Sequence, residues 1–189
     1  MPTPRSAKIA FIGSHGVGKT TLCYGLAARL KRRDVALDLV HEVARRSPLP
    51  INQATTVPAQ RWILLEQIAE EIVAQARYPV VLCDRSALDN YTYLLIAAGR
   101  QPGLEALVDF WMKTYDLLVH VPIVEQPSPD GIRSADPGFQ HAVEDLLDRE
   151  LEARGLSPLR LDAADRPGWL DRVEREAWDR LRPAQLPLL

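Results

Sequence analysis

The sequence predicts a three-layer α/β fold built around a parallel sheet. Predicted strands and helices alternate along the 189 residues, a pattern typical of chains whose helices cover both faces of such a sheet. Residues 80–83, Val-Val-Leu-Cys, are apolar at every position, as expected for a strand buried on both faces. Residues 13–20, Gly-Ser-His-Gly-Val-Gly-Lys-Thr, follow an apolar strand and precede a helical pattern, which is the setting of a phosphate-binding loop.

Hydrophobic periodicity places the elements in order along the chain. We expect strands at about residues 7–13, 36–41, 80–84, 117–121 and 159–161. Helices are expected at about residues 18–33, 59–77, 87–98, 104–115, 139–154 and 169–181. The second helix is predicted to present one apolar face, made by Ile63, Leu64, Ile68, Ile72 and Val73. The length favours a single domain over residues 1–189.

Composition excludes several classes of partner. The formal net charge is -2, so the chain lacks the overall basic field that binds proteins to nucleic acid. No segment has the apolar length of a secretory signal or a membrane span, so we expect a cytoplasmic protein without a membrane partner. Cys23 and Cys83 show no metal-ligand spacing and are predicted to be buried, reduced thiols. The oligomeric state stays open, and a homodimer is compatible with the sequence.

The loop of residues 13–20 is predicted to bind the phosphates of a nucleoside triphosphate. Its glycines let backbone N–H groups face the phosphates without steric conflict. Lys19, at the start of the next helix, can reach the β- and γ-phosphates, and the Thr20 hydroxyl is available to Mg²⁺. The predicted nucleotide-binding residues are Gly13, Ser14, His15, Gly16, Val17, Gly18, Lys19, Thr20 and Thr21.

Polar residues at the ends of the other strands extend the predicted site. Ligands of parallel α/β sheets bind at the carboxyl ends of the strands. Asp84 ends the third strand, where a carboxylate can bind Mg²⁺; its alternative role is a cap for the following helix. Arg85 can bind phosphoryl oxygens, or form an ordinary surface salt bridge. Glu42 follows the second strand and could take the proton of an attacking hydroxyl while Arg45 fixes the acceptor; Glu42 could equally be a solvated loop residue.

Three further features are candidates for contacts with substrate. Asp89 and Tyr93 share a helical face and could line an acceptor pocket, although a tyrosine at such spacing is also typical of packing. Trp62 and Gln67 could contact a nucleobase, with packing again as the alternative. Residues 124–140 are predicted to form a lid outside the core, whose arginine, Arg133, could close on the γ-phosphate; the alternative is a solvated loop arginine without a partner.

Four strings together resemble one family: GSHGVGKT at 13–20, HEVARR at 41–46, CDRSALDNYTYL at 83–94 and DGIRSADPGF at 130–139. They are similar to the P-loop kinase-like ATPases that include the ribosylnicotinamide kinase domain of NAD-biosynthesis regulators, with nucleoside and thymidylate kinases as more distant relatives. The resemblance implies the sheet order 2-3-1-4-5 and phosphoryl transfer from ATP, with Mg²⁺, to a small acceptor. It puts Glu42 at the catalytic carboxylate, but the proline that usually follows is missing, so Asp84 is the alternative base.

Three functional classes share such a loop. A regulatory GTPase needs an Asn-Lys-x-Asp element, and residues 112–116 have neither its spacing nor its position. A ring-forming ATPase usually adds a helical domain, for which the residues after the last strand leave little room. The sequence therefore favours an ATP-dependent kinase of a nucleoside, nucleotide or ribosylnicotinamide-like acceptor. The alternative is a regulatory module that binds or hydrolyses ATP without a small-molecule acceptor.

Overall fold

Five parallel strands form one central sheet in the order β2-β3-β1-β4-β5. The structure is a computed structural model, and it describes residues 6–51, 55–125 and 136–181. The strands are β1 (Ala7–Ile12), β2 (Leu37–Val40), β3 (Val80–Asp84), β4 (Leu117–His120) and β5 (Leu159–Arg160). The predicted parallel sheet and its strand order are confirmed. Because β1 lies in the middle, the loop that follows it emerges at the centre of the sheet edge.

In the described part of the chain, six α-helices connect the strands and flank the sheet. They are α1 (Lys19–Lys31), α2 (Val57–Arg77), α3 (Ala87–Ala98), α4 (Pro102–Met112), α5 (Pro137–Ala153) and α6 (Trp169–Leu181). Each lies within a few residues of its predicted position. Among the described residues, two short 3-10 helices, Val43–Arg46 and Ala163–Gly168, were not predicted, because a helix of one or two turns has too few residues to show a hydrophobic period.

Apolar packing on the two faces of the sheet produces the three layers. Alternate side chains of β1 enter opposite clusters: Ile9 and Phe11 pack with residues of α1 and α6, whereas Ala10 and Ile12 pack with residues of α2, α3, α4 and α5. This alternation follows from the two-residue period of a strand. Since helices cover both faces, every residue of β1 is buried, and all of them except Lys8 are apolar.

The predicted apolar face of α2 is partly wrong. Ile63, Leu64 and Ile68 are buried, as expected, but Ile72 is 53% and Val73 is 47% exposed. The position that continues the buried face is Glu71, which is fully buried. A polar residue therefore replaces the expected apolar contact, and the prediction failed because it assumed that the buried face is apolar throughout.

Two further features concern the cysteines and the length of the apolar helices. Cys23 and Cys83 are buried free thiols, as predicted, and burial is the main cause that raises the pKa of each. Within the described ranges no helix is both long and apolar enough to cross a bilayer.

Candidate active site

The phosphate-binding loop links β1 to α1, and glycines give it its shape. Gly13, Gly16 and Gly18 have φ angles of 134°, 78° and 96°, in the region that side chains disfavour. A Cβ atom on Gly13 would lie 2.5 Å from the carbonyl oxygen of Val121. These positions therefore require glycine for two reasons, backbone conformation at all three and close approach at Gly13.

Lys19 is buried at the first position of α1 and folds back onto the loop. Its Nζ donates to the carbonyl oxygens of Gly13 at 2.8 Å and Ser14 at 2.5 Å. Burial, together with the positive charge of Arg85, lowers its pKa from 10.5 to about 8, and nearby carboxylates offset only part of this. The ammonium is therefore held at the loop without a full counter-charge, and a bound phosphate would supply one.

Thr20 and Asp84 meet at the carboxyl ends of the central strands. The Thr20 hydroxyl donates to Oδ2 of Asp84 at 2.6 Å, although the residues are 64 positions apart. The pair offers two hard oxygen ligands beside the phosphate loop, which fits Mg²⁺, since this ion usually takes one or two protein oxygens and completes its shell with water and phosphate. The alternative role of Asp84 as a helix cap is wrong, because Ser86 caps α3.

Glu42 and Arg85 form a buried ion pair between the ends of β2 and β3. Oε1 of Glu42 accepts from Nε and Nη2 of Arg85 at 2.8 and 2.7 Å, and Oε2 accepts from Nε of Arg45 at 2.8 Å. Burial disfavours the charge of Arg85, but the carboxylate of Glu42 more than offsets this, and the pKa of the guanidinium is raised. The alternatives of a solvated Glu42 and a surface salt bridge for Arg85 are wrong, because Glu42 is 7% and Arg85 4% exposed.

Asp89 joins the phosphate loop to the start of α3. Its Oδ1 accepts from the backbone N–H of Gly13 at 3.0 Å, and Oδ2 accepts from the N–H of Ser86 at 3.0 Å and its hydroxyl at 2.7 Å. Burial raises the pKa of Asp89, while Lys19 and Arg85 oppose that shift. Both carboxylate oxygens of Asp89 accept hydrogen bonds from the protein, so the side chain positions the phosphate loop. The sequence had predicted that Asp89 lines the acceptor pocket.

Tyr93 lies beside Arg85 in an aromatic cluster. The guanidinium carbon is 5.2 Å from the centre of the Tyr93 ring, and the Tyr93 hydroxyl is 3.2 Å from Nδ1 of His15. Phe139 of α5 completes the cluster, with ring centres 5.7 Å from His15 and 6.2 Å from Tyr93. Burial raises the pKa of Tyr93, so its hydroxyl stays protonated. The sequence did not indicate that a loop histidine would pack between two helices.

Helix α5 is bonded directly to the first residues of the phosphate loop. The Ser14 hydroxyl donates to the carbonyl of Gln140, and the Gln140 amide donates to the carbonyl of His15, both at 2.8 Å. The backbone N–H of Ser14 donates to Glu144 at 2.8 Å, and the other oxygen of Glu144 lies 2.8 Å from Nε2 of His120. The helix that follows the predicted lid is therefore linked to the loop that would hold the phosphates.

A cavity of about 260 Å³ opens over the start of α1. Residues 16–21 line it together with Arg166. Arg166 lies in the 3-10 helix that follows β5 and pairs with Glu125. Sequence reasoning missed Arg166, although the rule that directed attention to the ends of β1, β2 and β3 applies equally to the end of β5.

Three buried polar atoms near these residues have no hydrogen-bond partner among the described residues. They are Nη1 of Arg85, Oε1 of Gln67 and Nδ2 of Asn90. Gln67 reaches the site from α2, because its Nε2 lies 3.3 Å from the carbonyl oxygen of Arg85. Buried polar groups are normally paired, so these three atoms are exceptions to the usual rule. Asn90 was missed because it has no distinguishing sequence pattern.

The structure thus gathers most of the predicted site residues at one sheet edge. Lys19 and Thr20 begin α1, Glu42 follows β2, and Asp84 and Arg85 lie at the end of β3. Arg133 and residues 126–135 of the predicted lid lie outside the described residues. The described remainder of the lid consists of residues 124 and 125 and the beginning of α5.

The fold and the phosphate loop define a P-loop nucleotide-binding protein. Residues 8–167 match a protein-family model described as "AAA domain", and because the match covers most of the chain, the protein belongs to this family. No curated protein matches the sequence.

Among solved structures, two of deoxyadenosine kinase from M. mycoides are similar in fold. The one with bound dATP superposes with a TM-score of 0.64 at 13% identity, and covers 90% of this chain and 98% of that chain. The one with the products dCMP and dCDP gives a TM-score of 0.65 at 12% identity, covering 91% and 99%. At this identity the likeness shows a shared fold.

Proposed function

We propose that the protein is a phosphotransferase that moves the γ-phosphoryl group of MgATP to the hydroxyl or phosphate of a small nucleoside, nucleotide or ribosylnicotinamide-like acceptor. The observation that carries the proposal is the buried Glu42–Arg85 pair, which lies in the same site as the phosphate loop. A protein that only binds a triphosphate needs the loop, but has no need for a carboxylate and guanidinium buried together on the acceptor side.

Each residue then has a defined task. Lys19 and the backbone N–H groups of the loop bind the β- and γ-phosphates, and Thr20 with Asp84 would hold Mg²⁺, which neutralises phosphate charge when bound. For a hydroxyl acceptor, its oxygen forms the new bond to the γ-phosphorus, the bond from that phosphorus to the β-phosphate oxygen breaks, and Glu42 receives the hydroxyl proton. ADP leaves with the electron pair of the broken bond.

Glu42 suits the proton-accepting role better than Asp84. The Asp84 carboxylate is already bonded to Thr20 at 2.6 Å, on the side of the phosphate loop. Glu42 is bonded by two arginines, Arg85 and Arg45, and not by a residue that would hold Mg²⁺, so in this proposal its carboxylate is left to orient the acceptor hydroxyl and to take its proton. Since the transition state of phosphoryl transfer is loose, orientation of the acceptor oxygen matters more than a strong base.

The acceptor side is lined by groups that can bind a polar molecule. Arg45, which is partly exposed, and Tyr93 lie next to the Glu42–Arg85 pair. The unpartnered atoms of Gln67 and Asn90 add one acceptor and one donor from α2 and α3. Such a mixture of aromatic, amide and charged groups fits a nucleoside-sized molecule, for which stacking and amide hydrogen bonds supply selectivity.

The decisive experiment is an acceptor panel with MgATP as donor. The panel contains deoxyadenosine, the other deoxynucleosides and ribonucleosides, nucleoside monophosphates and ribosylnicotinamide. We expect one class of acceptor to stimulate ADP release and to yield a phosphorylated product that is identified by mass spectrometry. If every acceptor leaves the rate of ADP release unchanged, the phosphotransferase proposal is wrong.

Lys19→Ala and Lys31→Ala form a matched pair for the same assay. Both lysines lie in α1, but Lys19 is buried at the loop and Lys31 is exposed in the last turn. Lys19→Ala is expected to abolish acceptor-dependent turnover, because the transferring group loses a fixed counter-charge. Lys31→Ala should keep the wild-type rate. Full activity in Lys19→Ala would remove the loop from the mechanism.

A regulatory module that binds ATP without an acceptor is the second candidate. The bonds from Ser14 and His15 to Gln140 and Glu144 favour it, because a ligand that rearranges the loop would also act on α5. This candidate predicts that MgATP changes protease sensitivity or hydrogen exchange in α5 while no acceptor is consumed. A product from the acceptor panel would contradict it.

A further inference from the structure

Glu71 is the centre of a buried polar network in the layer of α2, α3 and α4. Its side chain is fully buried. Oε2 accepts from Nζ of Lys8 at 2.9 Å and from Nε1 of Trp111 at 2.7 Å. Oε1 accepts from Nε2 of Gln67 at 2.8 Å and from the hydroxyl of Tyr115 at 2.7 Å. The carboxylate is therefore satisfied by four donors from β1, α2, α4 and the segment before β4.

Two members of this network also hold the turn between β3 and α3. The amide of Gln67 reaches the carbonyl oxygen of Arg85 at 3.3 Å. The backbone N–H of Ala87 donates to the Tyr115 hydroxyl at 3.0 Å. Both residues that contact the turn are thus bonded to the same oxygen of Glu71, Oε1. The two other partners, Lys8 and Trp111, bond to Oε2.

Arg85 needs such support because its backbone conformation is unfavourable. It has a φ angle of 101°, a value that residues with a Cβ atom rarely adopt. A backbone of this kind persists only when the surrounding structure holds it in place. The bond from its N–H to the carbonyl of Phe11 at 3.2 Å fixes one side, and the groups bonded to Oε1 of Glu71 fix the other.

The conformation of the turn decides where the Arg85 guanidinium lies. With this turn, the side chain points back to Glu42 and donates to it through Nε and Nη2. A relaxed backbone would move the guanidinium away from Glu42 and from the acceptor side of the site.

We propose that Glu71, acting through Tyr115 and Gln67, is a positioning residue that keeps Arg85 in the conformation required to hold Glu42. This inference rests on the proposed phosphotransferase function for its catalytic consequence, although the conformational part stands by itself. If Glu71 served only stability, its hydrogen-bond network would not need to contact the turn at Arg85 and Ala87. Well-packed apolar residues can replace a buried ion pair without loss of stability.

Tyr115→Phe and Trp111→Phe form a matched pair that tests the proposal. Each removes one hydrogen bond to Glu71, but only Tyr115 also bonds the turn, through Ala87. Hydrogen exchange of a peptide covering residues 84–90 is measured in the ligand-free proteins, together with thermal stability. We expect exchange there to rise about tenfold or more in Tyr115→Phe and to stay near wild type in Trp111→Phe.

Acceptor-dependent turnover is then measured for the same variants. We expect kcat to fall about tenfold in Tyr115→Phe with an unchanged KM for ATP, because a displaced Arg85 misplaces Glu42 but leaves the phosphate loop intact. Trp111→Phe should keep kcat within about twofold of wild type.

The two readouts separate this inference from the proposed function. Equal exchange at residues 84–90 in both variants overturns the inference, whether or not the protein transfers phosphate. Raised exchange in Tyr115→Phe with unchanged kcat overturns the catalytic part. A wild-type protein without acceptor-dependent turnover contradicts the proposed function, and exchange alone then decides whether the Tyr115 end of the Glu71 network holds the turn.

Discussion

Replacing Lys19 by methionine removes a buried positive charge from the phosphate loop. The pKa of this lysine falls from 10.5 to about 8 in the folded protein, whereas the unfolded chain keeps a value near 10.5. At pH 7 the lysine is protonated in both states, so folding carries the whole cost of burying the ammonium. At about 1.4 kcal/mol per pKa unit, this cost is about 3 kcal/mol.

The cost decreases as the pH rises above 8. The folded protein then releases the proton, while the unfolded chain retains it until about pH 10.5, and by pH 9.5 the remaining cost is about 1.4 kcal/mol. Methionine carries no charge, but it forfeits the hydrogen bonds to Gly13 and Ser14, worth about 1 kcal/mol each. Lys19→Met is therefore expected to be about 1 kcal/mol more stable than wild type at pH 7 and slightly less stable than wild type at pH 9.5, a change of about 2 kcal/mol.

Urea unfolding at pH 7, 8 and 9.5, followed by circular dichroism, measures this difference. Lys31→Met is the control, since Lys31 lies exposed in the same helix and its replacement should change stability equally at the three pH values. The same titrations with MgATP should stabilise the wild type but not Lys19→Met. A difference between Lys19→Met and wild type that does not change with pH would refute the electrostatic argument.

Two further substitutions test the loop and the ion pair. Gly13→Ala should lose MgATP binding in calorimetry and unfold at a lower temperature, because the position combines a positive φ angle with a close carbonyl contact. Gly103→Ala, with open space at its Cβ, is the control and should behave as wild type. Normal MgATP binding by Gly13→Ala would contradict the loop geometry. Glu42→Gln should destabilise the folded protein by about 3 kcal/mol in urea unfolding, since it leaves a buried guanidinium without its counter-charge. Arg45→Ala removes the partly exposed partner of Glu42 and should cost less than about 1 kcal/mol. Equal losses in these two variants would show that burial does not set the strength of the pairs.

Much of the architecture is readable from local patterns. The apolar residues of β3 and the spacing of the phosphate loop are properties of neighbouring residues, so periodicity and steric rules were sufficient to predict them. The same rules failed at Glu71, because its partners lie on β1, α2, α4 and the segment before β4. A prediction based on the spacing of apolar residues cannot identify a buried charged residue.

In the candidate site, too, local patterns predicted individual residues, whereas contacts between distant elements could not be predicted. Lys19, Thr20 and Asp84 were predicted from a motif and from their positions at strand ends. That Glu42 pairs with Arg85, which is 43 residues away, and that Arg166 faces the phosphate loop depend on how strands β2, β3, β1, β4 and β5 lie side by side.

The sequence by itself determined the alternation of strands and helices, the phosphate loop and the residues that end each strand, because backbone propensity and side-chain period act over a few neighbouring positions. Only the tertiary structure decided which of those residues meet, which are buried and therefore change their pKa, and which hold the unfavourable backbone of Arg85. Distances and desolvation arise when elements far apart in the chain pack together.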